Sequence, residues 1–269
     1  MRKAFLILLS PCALLGLNKE PWLTDLWEFN FRPSYTYSYY SSVQGAIQKH
    51  QKTSHDNFLT FDLGVCPLDS LAVDVDMGFA DTPIQKMGYR SSAVQVRYQF
   101  LDDIVGDFAT ITTGASFRGV SRHGLKDPSC PYHSDVNGSL NFSIGKEWSK
   151  NQYWISRVFG FLDGGMANHG SGWIQYLVSA QANINNCHRF GIFNEGYFGF
   201  GRKETLNIDH FHGYGSIHHK SLDVGARYSY VFPIWGHLTL AYTRRVYAKL
   251  FPQDANFFTV SYTLPFSFF

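Results

Sequence analysis

Apolar and polar residues alternate with a period of two along most of this chain. In "LAVDVDMGFAD", Leu71, Val73, Val75, Met77 and Phe79 share one parity, while Ala72, Asp74, Asp76, Gly78 and Ala80 share the other. Wound as a helix, this segment would spread its aspartates around the cylinder; extended, it has one apolar and one polar face, so the pattern predicts a strand. The same reading applies from Trp27 to Tyr39, Leu59 to Val65, Val94 to Phe100, Ala109 to Phe117, Val136 to Ile144, Ile174 to Ile184, Phe190 to Phe200, Leu222 to Phe232, Leu238 to Tyr242 and Phe258 to Phe268. A segment from Tyr153 to Leu162 reads as a strand of ambiguous parity, which brings the number to twelve.

The connections alternate in length. Short turns fall at 67–70, 101–106, 146–152, 185–188 and 233–236, and longer polar loops at 41–56, 81–90, 119–134, 163–172, 202–220 and 248–255. Every second connection is short, as expected for antiparallel hairpins with turns at one end and loops at the other. An even number of strands brings both termini to the turn end. No domain boundary, low-complexity segment or repeat appears beyond this hairpin rhythm.

Composition sharpens the picture. Aromatic residues make up 17% of the 269 residues against 16% charged, more rings than a simple core uses. The chain starts with Arg2 and Lys3 and a largely apolar run of 14 residues, Ala4 to Leu17. That run is shorter than the roughly 17 to 25 residues of a spanning helix, so residues 1–17 are expected to be a secretory signal and 18–269 one barrel domain. No later stretch reaches the length of a spanning helix, so any membrane crossing would use strands. Without Arg2 and Lys3 the 23 basic residues become 21, equal to the 21 acidic ones, and no nucleic-acid partner is implied. Cys66, Cys130 and Cys187 are an odd set that cannot all pair internally, which makes a disulfide-linked neighbour a candidate partner.

Alternation alone also fits a soluble sandwich or lipocalin-like barrel. The polar face decides: Arg32, Asp62, Asp74, Asp76, Arg97, Arg118, Glu195, Asp223, Arg227 and Arg245 mix both signs in a way suited to a lumen where charges pair. The apolar face would then meet lipid, and a closed barrel satisfies every backbone group there. Aromatics near strand ends, among them Trp22, Trp27, Trp148, Trp154, Trp173, Trp235 and Phe251, are expected to form the interfacial girdles.

The signal-like start, the twelve alternating strands, the turn and loop asymmetry and the ending "YTLPFSFF" resemble the porin-like outer-membrane β-barrel proteins of Gram-negative bacteria. The resemblance implies an all-β, single-chain antiparallel transmembrane barrel of about twelve strands, with short periplasmic turns and longer extracellular loops. It implies an integral outer-membrane location, contact with outer-membrane lipids, and a C-terminal assembly signal in Phe266, Phe268 and Phe269 read by barrel-assembly machinery. Phe268 shares the parity of the upstream apolar residues where the usual pattern has the terminal residue do so, so either the strand bulges near Pro265 or recognition is atypical.

Candidate chemistry is sparse. "NHGSGW" offers His169 and Ser171, which resemble the His and Ser of outer-membrane lipid hydrolases, with Asn183 at the third member's spacing. Asn183, however, lies ten residues along one strand from Trp173, about 30 Å from Ser171 and beyond hydrogen-bond reach. "DHFHGYGSIHH" packs His210, His212, His218 and His219 together, a weak metal candidate whose plainer reading is a solvated loop. "GYFGFGRK" lacks the ending of a phosphate loop, so its glycines are expected to relieve crowding on a strand. No cofactor is implied. Twelve strands lie between side-chain-filled and open barrels, so a narrow channel for small polar solutes is the first expectation, its charges setting selectivity across the lumen. A surface-exposed structural or adhesin-type barrel with a plugged lumen is the alternative, and a lipid-modifying enzyme the third.

Overall fold

The computed structural model describes residues 17–47, 53–84, 86–151 and 153–268. The expected signal falls almost entirely outside them, as does Phe269. Their strands are β1 (Phe29–Tyr40), β2 (Ser42–Val43), β3 (Ser54–Leu68), β4 (Leu71–Asp81), β5 (Gly88–Leu101), β6 (Thr110–Val120), β7 (Val136–Asn151), β8 (Trp154–Ala167), β9 (Trp173–Ile184), β10 (His188–Gly199), β11 (Lys220–Phe232), β12 (Gly236–Lys249), β13 (Pro252–Gln253) and β14 (Asn256–Phe266). Twelve of these close into an antiparallel barrel in chain order, β1 pairing with both β3 and β14; β2 and β13 form a small ribbon in the loops. A short helix, α1 (Arg122–Leu125), sits in the loop before β7, where the Ser121 hydroxyl caps it by accepting from Gly124 N–H.

Barrel strands run from 11 to 16 residues, and several are longer than the roughly 9 to 11 that cross a bilayer. Side chains alternate as the sequence predicts, with the polar face inside and the apolar face outside. Leu140 is 72% exposed and Ile192 66%, whereas Thr110, Thr112 and Ser143 are fully buried. In water such an exterior would forgo roughly 1.5–3 kcal/mol for every large apolar side chain left unburied; in hydrocarbon it is the matched surface. The five short connections lie together with β1's start and β14's end. One of them turns through Asn185 and Asn186, both left-handed (φ 54° and 57°), a conformation asparagine tolerates better than most residues.

The final strand keeps one continuous register against β1 through Phe29↔Phe266, Asn30↔Pro265 and Phe31↔Leu264 to Tyr39↔Asn256. No bulge marks Pro265. Phe268 points outward, and its ring and that of Phe266 both pack on Phe29.

Both ends of the lumen are filled differently from what the alternation predicts. From the turn end, residues 17–24 enter the barrel, and Lys19 to Leu23 are buried inside it. At the loop end, Leu206, Phe211, Tyr214, Ile217, Leu250 and Phe251 pack with Tyr197 and Trp173 into an apolar cap. The fully buried His219 belongs to this cap, and its ring fits because Gly199 has no side chain: a Cβ there would stand 2.3 Å from His219 Nε2.

Candidate functional site

The ten charges read from the sequence line the inner wall, and their pairing differs from the expected field across the lumen. Arg32 on β1 meets Asp62 on β3 at 3.3 Å, Arg97 on β5 meets Asp74 on β4 at 3.0 Å, and Arg245 on β12 holds Asp223 on β11 through two bonds of 2.7 and 2.9 Å. Arg118 on β6 grips both oxygens of Asp76 on β4. These pairs neutralise one another along the wall, between neighbouring or next-but-one strands.

The remaining two, Glu195 and Arg227, receive the inserted segment. Lys19 Nζ donates to Glu195 at 2.6 Å, and Arg227 donates to the Glu20 carboxylate at 3.1 Å. Gln181 also donates to Glu20, the Arg97 guanidinium to the Glu20 carbonyl, and the Thr112 hydroxyl to the Pro21 carbonyl. Trp22 anchors the segment: its indole N–H donates to Asp103, its ring meets Phe159 edge-on at 5.9 Å, and Arg157 sits 4.9 Å over it. Gly145 makes room, since a Cβ there would come within 2.8 Å of both Pro21 and Trp22. Trp22 is therefore a lumen anchor instead of a girdle residue, and Trp173 and Phe251, also assigned to the girdle from the sequence, lie inside the cap. Trp27, Trp148, Trp154 and Trp235 are exposed.

This plug divides the lumen. Toward the loops lies a small cavity of about 60 Å³, bordered by Lys19, Arg118, Asp163, Gln95, Asn141 and Trp173 among others. Toward the turns lies another of about 40 Å³, bordered by Asn18, Thr24, Arg32, Asp62, Asp74 and Arg97. Above the first cavity His133 faces His219, with Nε2 atoms 3.3 Å apart, and stacks on Trp173 at 4.5 Å. Burial pushes the His133 imidazole down to about 3 and lowers His219 as well, so both are neutral at ordinary pH. Tyr197 donates to the Pro131 carbonyl and so accepts from His133 Nδ1–H, leaving His133 Nε2 to accept from His219.

The barrel resembles solved structures along nearly its whole length. An outer membrane channel from Pseudomonas putida F1 superposes at TM-score 0.64 with 10% identity, covering 96% of this chain and 100% of that one. The NanC porin gives 0.51 and 10%, over 88% and 98% of the two chains, and the KdgM porin 0.50 and 9%, over 87% and 99%. The fold is that of an outer-membrane β-barrel. No protein-family model matches the chain, and no curated protein matches it in sequence. At such low identity the likeness carries the architecture alone.

Other residues singled out from the sequence do not converge in this outer-membrane barrel fold. The Ser171 hydroxyl donates to the Gly215 carbonyl, His169 is exposed and 3.9 Å from Asp135, and Asn183 pairs near the turn end of β9, so the hydrolase triad is not assembled. His210 and His212 are exposed and His218 half-buried, apart from the buried His219; among the described residues no three His, Cys, Asp or Glu side chains are grouped to hold a metal ion. Cys66, Cys130 and Cys187 are all free thiols. Cys130 is buried among Phe58, Ala80, Val120 and Tyr132, where burial pushes its thiol up, while Cys66 faces inward against the Thr24 hydroxyl at 3.2 Å. Of the three, the half-buried Cys187 is the most accessible to a neighbouring chain.

The sequence raised a plugged lumen only as an alternative and did not identify residues 18–24 as the plug. One signal pointed to it: the ambiguous parity of β8 arises because Phe159 and Phe161 face inward, against Trp22 and under Lys19. Inward aromatics on a polar wall imply something apolar inside.

Proposed function

We propose that the protein is a narrow channel for small polar solutes in the outer membrane of a Gram-negative bacterium, closed at rest by its own N-terminal segment. The observation that carries this reading is the plug itself, which separates two small cavities and is held by the ion pairs of Lys19 and Glu20 as well as by the packing of Trp22. Displacing about seven residues, 18–24, would join the cavities, whereas an apolar filling would have to unpack. The architecture shared with outer-membrane channels and porins supports the same reading, and one such porin, KdgM, has been solved with disordered oligogalacturonate. In this role the wall pairs keep the lumen polar without a strong net field, which favours modest charge selectivity. Lipids would surround the belt, and the C-terminal strand would serve assembly.

The apolar loop cap favours a second reading, a sealed barrel that works through its outer surface. Liposome swelling separates the two. A variant lacking residues 18–24 should admit small sugars and amino acids faster than the full-length protein, and equal, negligible swelling of both would leave the surface role.

A further inference from the structure

The outer wall departs from its apolar character near the loop ends of β11 and β12. There Lys220 pairs directly with Lys249, and the exposed Arg244 lies on the same outward face, flanked by Val224 and Asn256 on the neighbouring strands. Just before β11 the His218 N–H donates to the Lys203 carbonyl at 3.0 Å, which brings the exposed Lys203 alongside. Among the described residues these four cations make one ion pair, Lys249 Nζ with Glu204 at 2.7 Å. Like charges directly opposite on adjacent strands repel, so the Lys220–Lys249 pair carries a cost that an anion between them would remove. The cluster is local: on the row that continues from Lys220 the next partners are Phe198 and Ile174, and beyond Arg244 come Asn256 and Tyr39. Toward the turns the same faces are apolar, with Val224, Leu240 and Val260 exposed. Arg244 marks the boundary. Tyr242 below it donates its hydroxyl to Asn256 at 2.8 Å, as an aromatic at a lipid–water interface does, and an outward arginine is tolerated at that level but not in the middle of the belt. From Arg244 to Lys249 the strand rises about 15 Å, so the cations reach from the interface into the headgroup side.

We propose that this patch binds the phosphate-bearing headgroup of an anionic lipid in the leaflet that faces the loops. Phosphate oxygens accept from Lys220, Lys249 and Arg244, and the acyl chains lie on the apolar wall below, against Val224 and Leu240. A soluble anion would meet the cations but gain nothing from that wall, which favours the lipid. The site is on the outside of the barrel and stands whether or not the lumen conducts.

The test is a lipid titration of the detergent-solubilised full-length protein followed by native mass spectrometry, with diphosphoryl lipid A and the net-neutral phosphatidylcholine as probes. Lipid A should bind saturably and more tightly than phosphatidylcholine, and inorganic phosphate at the same concentration should not displace it. Lys220 and Arg244 make no ion pair among the described residues, so the double variant Lys220→Gln with Arg244→Gln leaves the barrel's internal pairs intact. It should weaken lipid A binding about thirtyfold, the order expected for two surface cations, and leave phosphatidylcholine unchanged. Glu204→Gln frees Lys249 and should tighten lipid A binding, a gain that a misfolded barrel cannot give; heat-modifiable gel migration confirms that each variant is folded. Equal binding of the two lipids, displacement by equimolar phosphate, a folded double variant with the affinity of the parent, or no gain in Glu204→Gln would overturn the proposal.

Discussion

Replacing Glu20 by glutamine removes the charge that joins the plug to the wall while keeping the side chain's size. In the structure the Glu20 side chain is 3% exposed and its Arg227 partner 5%. Removing one partner of such a buried pair typically costs about 3–5 kcal/mol. Glutamine keeps an amide oxygen that can still accept from Gln181 and Arg227, so we take the lower end, about 3 kcal/mol. The loss falls on the docked state alone, because an undocked Glu20 is solvated. The equilibrium between undocked and docked plug should therefore shift by roughly a hundredfold. The assay is open probability in planar bilayers, with heat-modifiable gel migration as the control for a folded barrel. Glu20→Gln should lengthen and multiply openings without changing their unit conductance. Arg227→Gln should act in the same direction, and the double variant should cost less than the two single effects added, because they remove one shared pair. A folded Glu20→Gln barrel with the open probability of the parent would refute the reasoning.

Three further predictions follow from the same geometry. Thr24→Cys places a second thiol beside Cys66, so treatment with oxidised glutathione should form a disulfide, visible as the loss of two hydrogen atoms from the mass, and reduce channel openings until a reductant is added. Gly145→Val puts side-chain atoms where Pro21 and Trp22 lie, so it should displace the plug and raise basal conductance; a variant as closed as the parent would contradict the packing. The loop cap should loosen in acid: His133 is depressed to about 3 and His219 is lowered too, while the released loops would take up protons near the usual 6.5. The docked cap therefore loses stability as pH falls from about 6.5 toward about 3, by at most about 1.4 kcal/mol per pH unit for each histidine, and regains it on return. Fluorescence of Trp173, stacked on His133, reports the change, and His133→Phe should flatten the part of the slope that His133 contributes.

The barrel was legible because its determinants are local. A period of two, read in windows of ten residues, places Leu71 to Phe79 outside and Asp74 and Asp76 inside, and the alternation of short and long connections supplies the hairpin order. The plug was not legible, because Lys19-Glu20-Pro21-Trp22 carries no period and its partners are remote in sequence, with Arg227 lying 207 residues from Glu20. The aromatics divide in the same way. Trp148 and Trp235 are exposed, whereas Trp22, Trp173 and Phe251 serve the plug and the cap, and position near a strand end does not distinguish the two uses. Which partner each charge takes depends on strand adjacency and on a segment that enters from outside the alternation.

The most direct test of a channel closed by its own N-terminal segment is the single-channel conductance of a variant lacking residues 18–24, recorded beside the full-length protein. The account predicts discrete, stable steps from the variant and rare, brief ones from the parent. A folded variant barrel that remains electrically silent would contradict it.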